Sequence, residues 1–142
     1  MDERVRKLKT PQDCENFARN ASRLGRKDLA TEAKQQAVKL RAVAYGATTD
    51  AERECIEAVY AYEEILSAKN GRRTPASRTW QMIARHGIIG ATERAVNRNE
   101  ETAAFAALRE AGLSQFAFEA VILRHPSLFS ADAVERSRLR MT

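Results

Sequence analysis

The sequence predicts an all-α fold, a compact bundle of about eight helices in which an N-terminal hairpin and a long third helix precede shorter C-terminal helices. Three observations point there. Aromatic residues are only 6% of the 142 residues, sparse for a sheet protein, whereas alanine is abundant. The six glycines and three prolines stand mostly between apolar-periodic segments, as punctuation. Apolar residues recur three and four apart, and no alternating strand pattern competes.

Each element has its own signature. Thr10-Pro11-Gln12-Asp13 opens the first helix with an N-cap hydroxyl, a proline at the first helical position and an acid in the first turn. Cys14, Phe17, Ala18, Ala21 and Leu24 follow at helical spacing until Gly25. Asp28 is expected to cap a second helix with Leu29, Ala33, Ala37, Leu40 and Val43 inward, ending at Gly46. The short Arg26-Lys27 turn makes these two an antiparallel hairpin. Thr49-Asp50-Ala51-Glu52 is a capping box, hydroxyl and carboxylate serving each other's amides. The third helix then runs to Lys69 with Cys55, Val59, Tyr62 and Leu66 on one face, and Asn70-Gly71 ends it. Thr74-Pro75 opens a fourth helix with Ala76, Trp80 and Ile83 inward, closed by Gly87. Ile88 to Asn97 forms a fifth, Asn99 caps a sixth through Ala111, and Gln115 to Arg124 forms a seventh. Ser130 caps the last, Ala131 to Arg140. The length suits a single helical domain, residues 1–142, with a subdomain break expected near residues 70–74.

Charge is the main functional clue. Lys and Arg number 24 against 19 Asp and Glu, a net charge of +5 that attracts polyanions without specifying them. Every basic residue after Lys69 is arginine, eleven in all, the side chain that forks onto phosphate. A GC-rich genome would enrich arginine and alanine in the same way. The charge is also arranged in blocks: residues 50–64 carry six acids and one arginine, and residues 65–98 carry seven basic residues and one acid. Neighbouring blocks of that kind can neutralise each other in the fold.

Other features exclude chemistry more than they suggest it. Cys14 and Cys55, both on apolar helix faces and without a Cys-x-x-Cys pair, read as reduced core thiols. The first residues hold no apolar signal core and no segment is long enough to span a bilayer, so a cytoplasmic location is expected. There is no phosphate loop, dinucleotide fingerprint, paired-histidine metal motif or nucleophile elbow; no cofactor, no metal and no enzymatic activity are expected. Both histidines follow an arginine at a helix end, Arg85-His86-Gly87 and Arg124-His125-Pro126, where cations suit the last helical turn. A helix-turn-helix reading around Gly112 fails because its recognition helix, Gln115 to Arg124, is apolar on nearly all sides.

The segment most suggestive of binding is Asn70 to Arg78. A helix N-terminus offers free amides and a positive dipole end, and here two arginines precede it. Arg72, Arg73, Thr74, Ser77, Arg78 and Arg85 are therefore the candidate nucleic-acid contacts, with DNA or RNA held mainly through phosphate. The alternative is a protein-interaction module, hetero- or self-associating, that docks through the N-terminal hairpin or an apolar edge.

The strings Ala76-Ser77-Arg78-Thr79-Trp80-Gln81-Met82-Ile83, Arg85-His86-Gly87-Ile88, Phe118-Glu119-Ala120-Val121 and Leu123-Arg124-His125-Pro126 resemble those of small all-helical bacterial proteins. The resemblance spans most of the chain. It implies a single helical domain of bacterial origin and carries no activity with it.

Overall fold

A computed structural model describes residues 1–98 and 103–142, and every described element is helical. The elements are α1 (Glu3–Arg6), α2 (Pro11–Arg23), α3 (Lys27–Tyr45), α4 (Asp50–Asn70), α5 (Ser77–Val96), α6 (Ala103–Glu110), α7 (Phe118–Arg124) and α8 (Ala131–Met141). Short 3-10 turns at Ser114–Phe116 and Pro126–Leu128 flank α7. The expected Asn99 cap lies outside the described residues.

The chain divides into two compact units, Met1–Gly46 and Ala47–Thr142. The division follows Gly46, whose left-handed φ of 84° ends α3, rather than the turn at residues 70–74. The third predicted helix, α4, therefore belongs with the C-terminal elements: it packs against α5, α6 and α7. Its burial shows why. Ala51, Cys55, Ile56, Ala58, Val59, Ala61 and Glu63 lie on more than one face, as they do on a central helix.

In the first unit α2 and α3 form the expected antiparallel hairpin, with α1 against α3. Thr10 caps α2 by accepting the Asp13 amide at 3.1 Å. Ala18, Ala21, Leu29, Ala30 and Ala33 make the seam, with Leu8 and Phe17 packed on it. The α3 stripe is rotated from expectation: Ala30, Val38 and Ala42 face inward and Val43 is exposed. Alanines let the two backbones approach closely, so the small-residue face takes the interior. Leu24 lies just past the end of α2 and is 80% exposed. Nor does Asp28 cap α3; the helix starts one residue earlier, and Asp28 pairs with Arg26 at 3.0 Å.

In the second unit Thr49 accepts the Glu52 amide at 3.1 Å. The Glu52 carboxylate takes hydroxyl protons from Thr49 and Thr48, completing the capping box through side chains. The predicted fourth and fifth helices run on as α5, kinked at Gly87 (φ 78°, ψ 169°), a conformation open to glycine. Extended backbone at Ala117 separates the Ser114–Phe116 turn from α7, so the predicted seventh helix begins three residues late. Phe116, Ala117, Ala120, Val121 and Ile122 are buried, as their all-round apolarity implies. Ser130 caps α8 through the Ala133 amide at 3.1 Å. Cys14 and Cys55 are buried free thiols, and burial pushes the Cys55 thiol up to about 11 despite a hydrogen bond with Thr92. No helix among the described residues is long and apolar enough to cross a membrane.

Candidate nucleic-acid interface

The turn from α4 into α5 is built around one carboxylate. Glu63, two-thirds of the way along α4, is only 4% exposed. Its Oε2 accepts the Ala76 amide at 2.8 Å and the Trp80 indole N–H at 2.6 Å, and its Oε1 accepts Arg73 Nη2 at 3.2 Å. Arg73 Nη1 reaches Glu64 at 3.1 Å. Trp80 in turn lies against Tyr60, ring centroids 5.3 Å apart. An anion does occupy the amide at this helix start, as dipole and donors require, but it is the protein's own. The acidic block of α4 thus neutralises part of the basic segment that follows it.

This arrangement changes the role of two candidate residues. Thr74 does not cap the helix: Ala76 holds that position without a side-chain bond, and α5 begins at Ser77. The Thr74 amide is tied to Ser67 Oγ at 2.9 Å, and its hydroxyl donates to the Arg72 carbonyl and accepts from Asn70. Arg73 is held between two carboxylates. Both residues serve the turn.

The remaining candidates keep their freedom. Arg72, Arg78 and Arg85 are exposed, and none makes an ion pair among the described residues; Ser77 is exposed beside them. Arg78 and Arg85, seven residues apart, share one face of the straight first half of α5. Sequence reading missed Arg94, which is likewise exposed beyond the Gly87 kink. Desolvation, followed by the charges of Arg94 and Arg85, holds the His86 imidazole below its ordinary range. The shift disfavours the charged imidazole, so the charge of this surface comes mainly from its arginines. The kink hid Arg94, because helical spacing cannot be carried across a residue with positive φ; the excess of basic residues over 65–98 was the available signal.

The second histidine has a different environment. His125 Nε2 lies 2.8 Å from Glu54 Oε2, and Arg124 pairs with the same carboxylate and donates to the Gln115 carbonyl at 3.0 Å. Burial raises the Glu54 pKa, but the bonds from His125 and Arg124 outweigh it and hold the carboxyl below its ordinary value. The two Arg-His pairs are therefore not equivalent. Among the described residues no group of three or more His, Cys, Asp or Glu could hold a metal ion.

Comparison of the chain with protein-family models, curated proteins and solved structures finds no match. Residue roles here rest on geometry.

Proposed function

We propose that this protein binds nucleic acid through phosphate, without catalysis, using the exposed arginine row of α5 and its approach. The observation that supports it is the contrast between neighbours: Arg73 is consumed by Glu63 and Glu64, whereas Arg72, Arg78 and Arg85 stand exposed with no carboxylate partner among the described residues. Other basic residues of the second unit, Arg53, Arg124, Arg138 and Arg140, are paired.

Guanidinium groups left unpaired retain their full capacity for bidentate phosphate contact. The seven-residue separation of Arg78 and Arg85 is a rise of about 10.5 Å, comparable with about three 3.4 Å steps along one strand of a duplex. Arg72 extends the row into the preceding turn, and the Ser77 hydroxyl supplies a neutral donor. Such contacts set register on a backbone and carry no sequence information.

Fluorescence anisotropy with labelled single- and double-stranded DNA and RNA, across ~50 to 200 mM salt, tests this. The parent chain is expected to lose affinity steeply with salt. The Arg72→Ala, Arg78→Ala, Arg85→Ala variant is expected to flatten the slope by up to about three units, about one per phosphate contact. Absence of binding at low salt, or an unchanged slope in the variant, overturns the reading and turns attention to protein partners.

A further inference from the structure

The second unit contains a cavity of about 400 Å³ between α4, α5, α6 and the start of α7. Its walls are mainly apolar, with Val59, Met82, Ala95, Phe105 and Phe118 among them, and small side chains leave the space open. Two exposed arginines, Arg78 and Arg98, belong to the same lining, and neither has an ion pair among the described residues. The lining carboxylate, Glu119, is 3% exposed and bonded to Arg140 Nη1 at 3.1 Å, so its charge is already balanced. The net charge offered to a ligand is positive.

The position of Arg98 is fixed by its backbone. Its carbonyl accepts Arg136 Nη1 at 3.0 Å and Arg140 Nη2 at 2.6 Å, while Arg140 also holds the Val96 carbonyl at 2.9 Å. Two arginines of α8 therefore hold the chain as it leaves α5, and this fixes where the exposed Arg98 meets the cavity. An apolar chamber at the small end of the ligand-pocket range, with few polar groups converging on it, is the general form of a small-molecule site.

We propose that this cavity binds a small monocarboxylic acid with an apolar body, the body among Met82, Phe105 and Phe118 and the carboxylate on Arg78 and Arg98. Apolar walls select the body by area removed from water. The guanidinium groups select the anionic head through charge-assisted, bidentate hydrogen bonds. The site shares Arg78 with the phosphate row but requires no nucleic acid.

The test is isothermal titration of the full chain with decanoate, and with decanol as the uncharged analogue, in the absence of nucleic acid. Saturable decanoate binding with about one site per chain is expected. Arg98→Ala is expected to weaken decanoate by about tenfold or more while leaving decanol unchanged, because only the acid loses a charge-assisted bond. Ala95→Leu and, separately, Ala104→Leu add bulk to the wall and are expected to abolish both ligands. Using either variant that retains the parent's circular dichroism keeps the test independent of folding. No saturable decanoate binding, or binding that survives the filled cavity, overturns the proposal. Because no oligonucleotide is present, that failure leaves the phosphate reading standing, and failure of the anisotropy test leaves this one standing.

Discussion

The two units solve the same packing problem with opposite chemistry. In the first, the α2–α3 seam is alanine against alanine and leucine, and its polar links, such as Arg41 to Glu15 and Gln36 Nε2 to the Leu8 carbonyl at 3.4 Å, lie around it. In the second, the described core takes in Glu63, Thr92, Glu119 and Ser137, all nearly or fully buried. The difference follows from what each must hold. A hairpin of two regular helices satisfies its own backbone groups, so it needs only closeness. The second unit joins helices through irregular segments whose amides and carbonyls need partners. Glu63 supplies one for Ala76, and Arg140, held by Glu119, supplies them for Val96 and Arg98. Buried carboxylates here are fasteners for non-helical backbone.

The strongest way to break this contrast is at Glu119. Glu119→Leu takes from the Arg140 guanidinium, with a side chain only 10% exposed, the buried carboxylate it pairs with. Loss of one partner of a buried pair costs about 3–5 kcal/mol, whereas replacing both with apolar residues is far milder. Urea unfolding should show that loss in the single variant and only partial recovery in Glu119→Leu, Arg140→Met, because the Val96 and Arg98 carbonyls then lose their Arg140 donor. The loss should also be local: under mild denaturant Cys55, in the second unit, should become reactive to a thiol reagent before Cys14. A cost under ~1 kcal/mol would mean that the pair does not fasten this segment.

The first unit should fail through size. Ala33 is fully buried in the seam, and Ala33→Leu inserts a branched side chain where two backbones approach. Overpacking of that kind costs about 1–3 kcal/mol, with Cys14 now the earlier thiol to react. Leu24→Ala, at a side chain 80% exposed, serves as the control and should shift stability by less than ~0.5 kcal/mol. Equal effects at the two positions would dissolve the idea of a close-packed seam.

The sequence carried the regular parts of the molecule plainly and the irregular parts poorly. Thr10, Thr49 and Ser130 cap where their hydroxyls predict, because capping is a local bond between residues three apart. The Thr74 cap failed because a distant carboxylate, Glu63, already served that helix start, and nothing local to Thr74 signals it. The same long-range bond decided the candidate site: Arg72 and Arg73 are indistinguishable in sequence, and only the fold separates the paired one from the unpaired one. The Val43 error has the opposite origin. Two helical stripes on α3 fit the spacing, and the preference of a close crossing for alanine, rather than hydrophobicity, chose between them.

The smallest expected effect lies at Glu54, where α4 meets the end of α7. Its carboxyl titrates below the ordinary value of 4.5: burial alone would raise it, and the hydrogen bonds from His125 and then Arg124 more than reverse that. A carboxylate with a depressed folded-state pKa contributes stability above its unfolded value and loses it as pH falls through the folded one. The contribution is thus present at pH 7 and fades below 4.5. Arg124 is 43% exposed, so solvent screening keeps the effect to about 1 kcal/mol or less. Urea midpoints at neutral and acidic pH should converge slightly in Glu54→Gln compared with the parent. Surface pairs of the first unit, Asp2 with Arg4 and Asp28 with Arg26, have the same sign of shift, but their arginines are more than half exposed and solvent screens them. Their asparagine variants should leave the pH dependence unchanged. If those variants flatten it as much as Glu54→Gln does, acid sensitivity follows carboxylate number rather than the bonds that tie α7 to α4.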